Sequence, residues 1–176
     1  MDIEYVASKL TGAKPCEGLT DAEARRLAGF GTLREAAAGD EVFREGEPGE
    51  EMLILLEGRV EAWKKDKREG ADDLSLGDEA AGEILGEIAL LRRGPRMASV
   101  KATEDSRFFV LDRAAFERLV GEGDAIAYKI GLKLARSLAE RIAWVNDTLL
   151  DMISHPPEKP DEFAAFKNKL LRQWDF

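Results

Sequence analysis

The chain has few of the residues from which enzymes and disulfide-rich proteins build their sites. Among 176 residues there is one cysteine, Cys16, and one histidine, His155, which lies in a proline-rich stretch. A single cysteine excludes an internal disulfide and is typical of the reducing cytoplasm, where we expect this protein. A single histidine outside the main domain excludes a multi-histidine metal site and a Ser-His-Asp triad in that domain. We therefore expect no enzymatic activity and no metal or other cofactor.

Two further absences limit the partners of the chain. No apolar run approaches the roughly 18 residues that span a bilayer, and the acidic start MDIEYV has no signal-peptide pattern. The formal net charge is −9, and the short basic pairs that begin at Lys64 and Arg92 are flanked by acidic residues. Such a chain repels nucleic acid unless it carries a basic patch. We expect neither a membrane nor a nucleic acid as a partner.

From Thr32 onward, short apolar segments alternate with glycine-containing turns. The segments TLREAA, MLILLEG, RVEAWKK, MASVKAT and RFFVLD are typical of short strands. They predict a mainly β fold, an antiparallel jelly-roll-like β-roll. We expect a tight hairpin at LEGRV around Gly58 and a polar hairpin tip at KDKREGADD. A helix at LTDAEARRLAGFG precedes the roll, with Thr20 and Glu23 at the spacing of a capping box.

Helical patterns return after Asp112. The segment DRAAFERLVG predicts a short helix, and a much longer amphipathic helix follows it. At 1.5 Å per residue that helix is roughly 45 Å long, more than one small roll can cover. We therefore expect a homodimer through its uncovered part. The apolar positions of the long helix recur at spacings of three and four residues: Ile126, Ile130, Leu134, Leu138, Ile142, Val145, Leu149 and Met152.

The ends of the chain differ from the roll in composition and in hydrophobic pattern. The prolines at 156, 157 and 160 end the long helix, and a short amphipathic helix with Phe163, Phe166, Leu170 and Trp174 on one face is predicted after them. These shifts divide the chain into an N-terminal segment (1–17), a domain with the roll and the long helix (18–153) and a proline linker with a tail helix (154–176).

The stretch LGEIALLRRGPRMASV, residues 85–100, combines a glycine, a carboxylate and an arginine around a short helix. A helix that begins at Gly86 presents free backbone N–H groups, which bind phosphate readily, and glycine lets a ligand approach the backbone. Glu87 suits the hydroxyl groups of a sugar, whereas Arg96 can hold a phosphate with its planar fork. These groups together predict a nucleotide as the ligand.

This stretch resembles the phosphate-binding cassette of cyclic nucleotide-binding domains, and the resemblance continues in order over about residues 18–150. The family includes protein kinase A regulatory subunits and the sensor domain of catabolite activator protein. The resemblance implies that Glu87 binds the ribose hydroxyl and that Arg96 binds the cyclic phosphate. It also implies that Arg141, on the long helix, lies near the base. Backbone N–H groups would complete the ligand site at Gly86, Ile88, Ala89, Met97 and Ala98.

The chain departs from the family pattern in three places. Met97 follows the arginine, where cGMP-selective members often carry threonine, so the resemblance favours cAMP over cGMP. The loop LGDEAAGEILGE before the cassette is slightly long, and no DNA-binding, kinase or channel segment follows the long helix. The function that the resemblance implies is a non-catalytic cyclic-nucleotide sensor, whose effector protein the sequence does not identify.

The alternative is a ligand-blind dimerisation or protein-interaction scaffold of the same fold. In that case Glu87 and Arg96 would only pair with each other. If Arg96 instead binds a ligand phosphate, we expect the unliganded protein to tolerate its replacement, because water would be the other partner of the guanidinium.

Overall fold

The computed structural model describes residues 1–66, 73–156, 159, 162–163 and 165–166. Within these residues the helices are α1 Ile3–Leu10, α2 Asp21–Ala28, α3 Glu87–Arg92, α4 Arg113–Gly121 and α5 Ala125–Ser154, with a 3-10 helix at Lys14–Cys16. The strands are β1 Thr32–Ala36, β2 Glu41–Phe43, β3 Glu51–Glu57, β4 Arg59–Lys64, β5 Leu74–Ala80, β6 Ile84–Leu85, β7 Ser99–Ala102 and β8 Ser106–Asp112.

These strands form two antiparallel sheets of four strands each. One sheet has the order β1-β8-β3-β6 and the other the order β2-β7-β4-β5. In the first sheet Phe109 of β8 lies opposite Leu33 of β1 and Ile54 of β3. The last strand of the roll therefore pairs with the first strand on one side and with β3 on the other. The predicted antiparallel roll with a helix before it and helices after it is confirmed.

The core has two parts, which meet at β3. This strand reads EMLILLE because both of its faces are buried, and successive side chains of a strand point to opposite faces. Ile54 packs in the layer between the first sheet and the helices, with Leu27 and Leu119. Leu53 packs inside the roll, with Phe108. The roll therefore has its own interior, and the helices cover the outer face of one sheet.

Polar side chains cap α2 and α4, and the cap of α2 was predicted from the sequence. The backbone N–H of Glu23 donates to Thr20 Oγ1 at 3.3 Å, and the backbone N–H of Thr20 donates to the Glu23 carboxylate at 2.7 Å. This reciprocal pair is the capping box predicted for α2. At the start of α4 the Asp112 carboxylate accepts from the N–H of Ala115 at 2.7 Å. Each cap provides a partner for a backbone donor that the helix itself leaves free.

The predicted hairpin around Gly58 is wrong. The strands β3 and β4 on either side of it belong to different sheets, so the chain crosses from one sheet to the other at Gly58. Its φ is +90°, and a Cβ there would lie 2.3 Å from Ser106 Oγ. The hairpin in this region is formed by β4 and β5, which pair with each other. The polar tip that was predicted for it lies largely outside the described residues.

Helix α5 is a single helix of 30 residues, as predicted. Its first half packs on the domain through Ile126, Ile130 and Leu134, which are buried. Further along the same apolar stripe Ile142 is 62% exposed and Leu149 is 41% exposed. The prediction that one roll cannot cover the whole helix is therefore confirmed.

No helix in the described residues is long and apolar enough to cross a membrane.

The predicted tail helix is described only in small part. Residues 162–163 and 165–166 are helical, and Phe163 is exposed. Of the other three members of the predicted apolar face, Phe166 is half-buried, and Leu170 and Trp174 lie outside the described residues.

Two glycines with the same backbone conformation test the crossover at Gly58. Gly39 has a φ of +96° and open space where a Cβ would lie, whereas a Cβ at Gly58 would also lie 2.6 Å from the carbonyl oxygen of Asp105. Gly39→Ala should cost about 1–2 kcal/mol of stability for the left-handed backbone alone. Gly58→Ala should cost clearly more, because backbone atoms must also move. Urea unfolding of both variants measures the difference, and equal losses would contradict the crossover packing.

Candidate functional site

The short helix α3 and the turn after it form one wall of a pocket at the end of the roll. Strand β6 leads directly into Gly86, which caps α3 with a φ of +78°. A Cβ at this position would lie 2.1 Å from Nη1 of Arg96. The sequence predicted that this glycine makes room for a ligand. In the structure it makes room for the arginine.

Arg96 is buried and has protein partners. Its side chain is 5% exposed. Nη1 donates to the carbonyl oxygen of Glu51 at 2.7 Å and to that of Gly86 at 3.3 Å. The guanidinium carbon lies 3.7 Å from the centre of the Phe43 ring, within the range of a cation–π contact. Burial lowers the pKa of Arg96 from its usual value, and the nearby Glu51 carboxylate opposes this shift.

These contacts overturn the reason given for expecting tolerance of Arg96 replacements. Water is not the partner that Arg96 relies on, because backbone carbonyl groups of Glu51 and Gly86 already accept from it. Removing the guanidinium would take its donor from the Glu51 carbonyl oxygen and would leave Gly86 with only the backbone N–H of Leu90, which costs stability. Changes at Arg96 must therefore be assayed for folding as well as for binding.

Glu87 is the first residue of α3 and is 4% exposed. Its Oε2 atom is buried and has no hydrogen-bond partner in the described part of the chain. Burial raises the pKa of the Glu87 carboxyl, and the opposing effects of Arg141 and of the backbone N–H groups of Glu87 and Ile88 are smaller. A carboxylate in this position is an acceptor that lacks a donor, which is what a ligand hydroxyl group would supply.

Arg141 reaches the site from α5. Its Nη1 lies 3.8 Å from Oε1 of Glu87, close enough for charge attraction. This nitrogen is itself buried and has no hydrogen-bond partner among the described residues. Glu87 and Arg96 do not form an ion pair; Arg96 lies instead beside Glu51, with 3.6 Å between Nη2 and the carboxylate. The interpretation in which Glu87 and Arg96 exist only to neutralise each other is therefore wrong.

The structure brings the residues predicted from the cassette together in one pocket. Arg141 does not line this pocket but lies next to Glu87, at its edge. The pocket is lined by Phe43, Gly86, Glu87, Ile88, Ala89, Arg96, Met97, Ala98 and Val100. Sequence reasoning missed Phe43, Val100 and Glu51. The single aromatic residue in the strand EVF was a signal for the first, whereas nothing local distinguishes Glu51 from the acidic residues beside it. The described residues contain no cluster of histidine, cysteine or acidic side chains that could hold a metal ion.

Comparison with known proteins agrees with the geometry. The family model described as "Cyclic nucleotide-binding domain" matches residues 33–122. A cGMP-dependent protein kinase of Caenorhabditis briggsae is 40% identical over 84 residues, which are 48% of this chain and 10% of the kinase. A cAMP-dependent protein kinase regulatory subunit of Colletotrichum orbiculare is 33% identical over 61% of this chain and 26% of that subunit. The chain thus spans from a tenth to about a quarter of these relatives.

Other proteins match over more of the chain. The cyclic AMP receptor protein of Thermus thermophilus is 28% identical over 93% of this chain and 72% of the receptor. The crystal structure of a cyclic nucleotide-binding domain from Methylobacillus flagellatus has a TM-score of 0.70 and 26% identity, and covers 84% of this chain and 82% of that domain. The regulatory domain of Toxoplasma gondii protein kinase A, in co-crystals with cAMP, has a TM-score of 0.63 and 25% identity, over 76% of this chain and 50% of that one.

The raised pKa of Glu87 leads to a prediction about the unliganded protein. A carboxyl whose pKa is raised by folding adds stability as the neutral acid, fully so below its usual pKa of 4.5, and this contribution is lost as the pH rises through the raised value. Glu87→Gln keeps the side chain neutral at every pH. Without ligand, it should therefore melt at a higher temperature than the wild type at neutral pH.

Scanning calorimetry of both proteins between neutral pH and about pH 4.5 measures the difference in melting temperature. The advantage of Glu87→Gln should shrink as the pH falls toward 4.5. The matched control is Glu104→Gln, because the side chain of Glu104 is largely exposed. An advantage that is the same at all pH values, or equal in both variants, would contradict the assignment to the buried carboxyl.

Proposed function

Because the chain belongs to the cyclic nucleotide-binding domain family, we propose that it is a regulatory sensor of cAMP that acts without catalysis. The observation that carries the proposal is the pair of buried, opposite charges in one pocket. Arg96 is held in place by carbonyl groups, and the Glu87 carboxylate retains an oxygen without a donor. A cyclic nucleotide supplies an anion for the first and a ribose hydroxyl for the second.

The remaining site residues are proposed on the same basis. Backbone N–H groups complete the site around the cyclic phosphate; they belong to Gly86, Ile88, Ala89, Met97 and Ala98. Arg141 closes the site from α5: its position beside Glu87 supports a role near the ribose and the base. A ligand between α3 and α5 would give Arg141 Nη1 the partner that it lacks among the described residues.

The choice of cAMP over cGMP rests on Met97. Its thioether lines the pocket and lies 3.6 Å from Nη1 of Arg92, as a weak acceptor. A thioether cannot donate to a purine, and it is a poor acceptor for the amino group of guanine. The names of the relatives include both nucleotides, so they do not decide between them.

We also propose a homodimer through the second half of α5. Ile142, Leu149 and Ile153 are exposed and lie seven and four residues apart along one face of the helix. A second copy of the helix offers the same face, as a twofold contact requires. The proposed domain (18–153) includes this helix, while 1–17 and 154–176 flank it. We place the protein in the cytoplasm because its one cysteine is free and buried.

An effector protein completes the proposal. The relatives that are kinases or kinase subunits are several times longer than the matched region, so their outputs lie beyond the part that this chain resembles. The scaffold alternative keeps the fold and the dimer but not the ligand. The scaffold alternative does not explain why the buried Oε2 atom of Glu87 has no hydrogen-bond donor among the described residues.

A thermal shift separates the sensor from the scaffold. A ligand at one hundred times its dissociation constant stabilises the folded state by about 2.7 kcal/mol. We expect such a shift with cAMP at lower concentration than with cGMP. Isothermal titration well below the melting temperature should then show that Arg96→Lys weakens cAMP binding by about 1.5–3 kcal/mol, since lysine lacks the planar fork.

The matched control is Arg107→Lys, an exposed arginine on β8. It should bind cAMP as the wild type does. If neither nucleotide shifts the melting of the wild type, the scaffold is the correct interpretation.

Selectivity has its own test. Met97→Thr introduces a hydroxyl group that can bind guanine, so it should improve cGMP binding relative to cAMP by about 0.5–1.5 kcal/mol. Titration of both nucleotides against the wild type and the variant measures the change. A wild type that already prefers cGMP would overturn the choice of cAMP.

The dimer is tested by changing its proposed contact. Ile142→Glu and Leu149→Glu together place like charges at the seam between the two helices, which should yield folded monomers. Sedimentation velocity at micromolar concentration measures the mass. The control is Tyr128→Glu, at an exposed position near the start of α5. A wild type that sediments only as a monomer would refute the dimer.

A further inference from the structure

Arg113 makes partly buried contacts outside the pocket described above. It is the first residue of α4, and its side chain is 12% exposed. Nη2 donates to the carbonyl oxygens of Gly49 and Ala89, both at 2.7 Å, and Nε donates to that of Leu90 at 3.2 Å. Nη1 lies 3.1 Å from the carboxylate of Glu50. All the nitrogens of the guanidinium are therefore engaged.

The carbonyl groups that Arg113 binds belong to two separate segments. Ala89 and Leu90 are in α3, the helix that begins with the Glu87 carboxylate. Gly49 precedes β3, two residues before Glu51, whose carbonyl oxygen accepts from Arg96. Arg113 therefore connects the segment that carries Glu87 to the segment that holds Arg96.

The two segments are in close contact where Arg113 connects them. A Cβ at Gly49 would lie 2.3 Å from the Cβ of Ala89 and 3.3 Å from Cδ and Nε of Arg96. A change in the spacing between Gly49 and Ala89 would therefore move Arg96 relative to α3. A second connection, between Arg93 and Glu117, also joins the end of the cassette to α4, but it is exposed and contributes little.

We propose that Arg113 is a positioning residue for the cyclic nucleotide site. It sets the distance between Glu87 and Arg96 without touching the ligand. This inference rests on the proposed function, because it needs a ligand that spans both charged residues. Lysine cannot replace Arg113, since a single ammonium group cannot reach three carbonyl groups in the plane of a guanidinium fork.

The experiment compares Arg113→Lys with a core variant of similar stability. Val6→Ala, in α1, removes buried methyl groups far along the chain from the cassette and should lower the melting temperature. Binding of cAMP is measured by titration calorimetry at a temperature at which every variant is fully folded. Hydrogen exchange of the backbone N–H groups of residues 90–92, the first of which donates to the Gly86 carbonyl oxygen, is followed in the same samples without ligand.

We expect Arg113→Lys to bind cAMP at least ten times more weakly than the wild type, with faster exchange at residues 90–92. Val6→Ala should bind as the wild type does, with unchanged exchange there, even where its loss of melting temperature is the larger. Arg113→Lys that binds cAMP as tightly as the wild type would overturn the positioning role and leave the proposed function intact. A wild type that binds no cyclic nucleotide would overturn both.

Discussion

A buried guanidinium group needs partners for its charge and its donors, and the walls of the pocket supply several of them to Arg96. Its partners come from both sheets: the Phe43 ring is on β2, the Glu51 carbonyl on β3, and the Gly86 carbonyl follows β6. The position of Arg96 therefore depends on the pairing of β3 with β6 and on the packing of the two sheets that brings β2 beside them. Two glycines, at 49 and 86, provide the space that the side chain occupies.

Glu87, the second buried charged residue of the pocket, is less well compensated than Arg96. Glu87 has the attraction of Arg141 and local backbone donors, yet burial outweighs them and the pKa of its carboxyl is raised. A fold selected for stability alone would pair Glu87 with Arg96 or replace both by apolar residues. Keeping them in one pocket without an ion pair between them lowers stability, and functional sites commonly carry such a cost.

The cassette was predictable because its residues are close together in sequence and each has a local role. Gly86, Glu87 and Arg96 lie within one short stretch, and the capping box of α2 is formed by residues three apart. The length of α5 followed from its periodicity in the same way. These features depend on chain geometry over one or two turns of structure.

The features that sequence reasoning missed depend on distant pairings. Arg96 meets Glu51 across 45 positions, and Arg113 meets Gly49 across 64. No local pattern specifies such partners. The error at Gly58 has the same origin: a glycine between two apolar segments fits a hairpin and a crossover equally well, and only the pairing of β4 with β5 and β7 decides between them.

The central claim is that the free oxygen of Glu87 receives a ribose hydroxyl. It is tested most directly by comparing cAMP with 2′-deoxy-cAMP in titrations of the wild type and of Glu87→Ala. The account predicts that the wild type binds cAMP more tightly by about 1.5–3 kcal/mol, the range for a hydrogen bond to a charged group, and that Glu87→Ala binds the two ligands alike. A wild type that does not distinguish them, or a variant that retains the full preference, would contradict it.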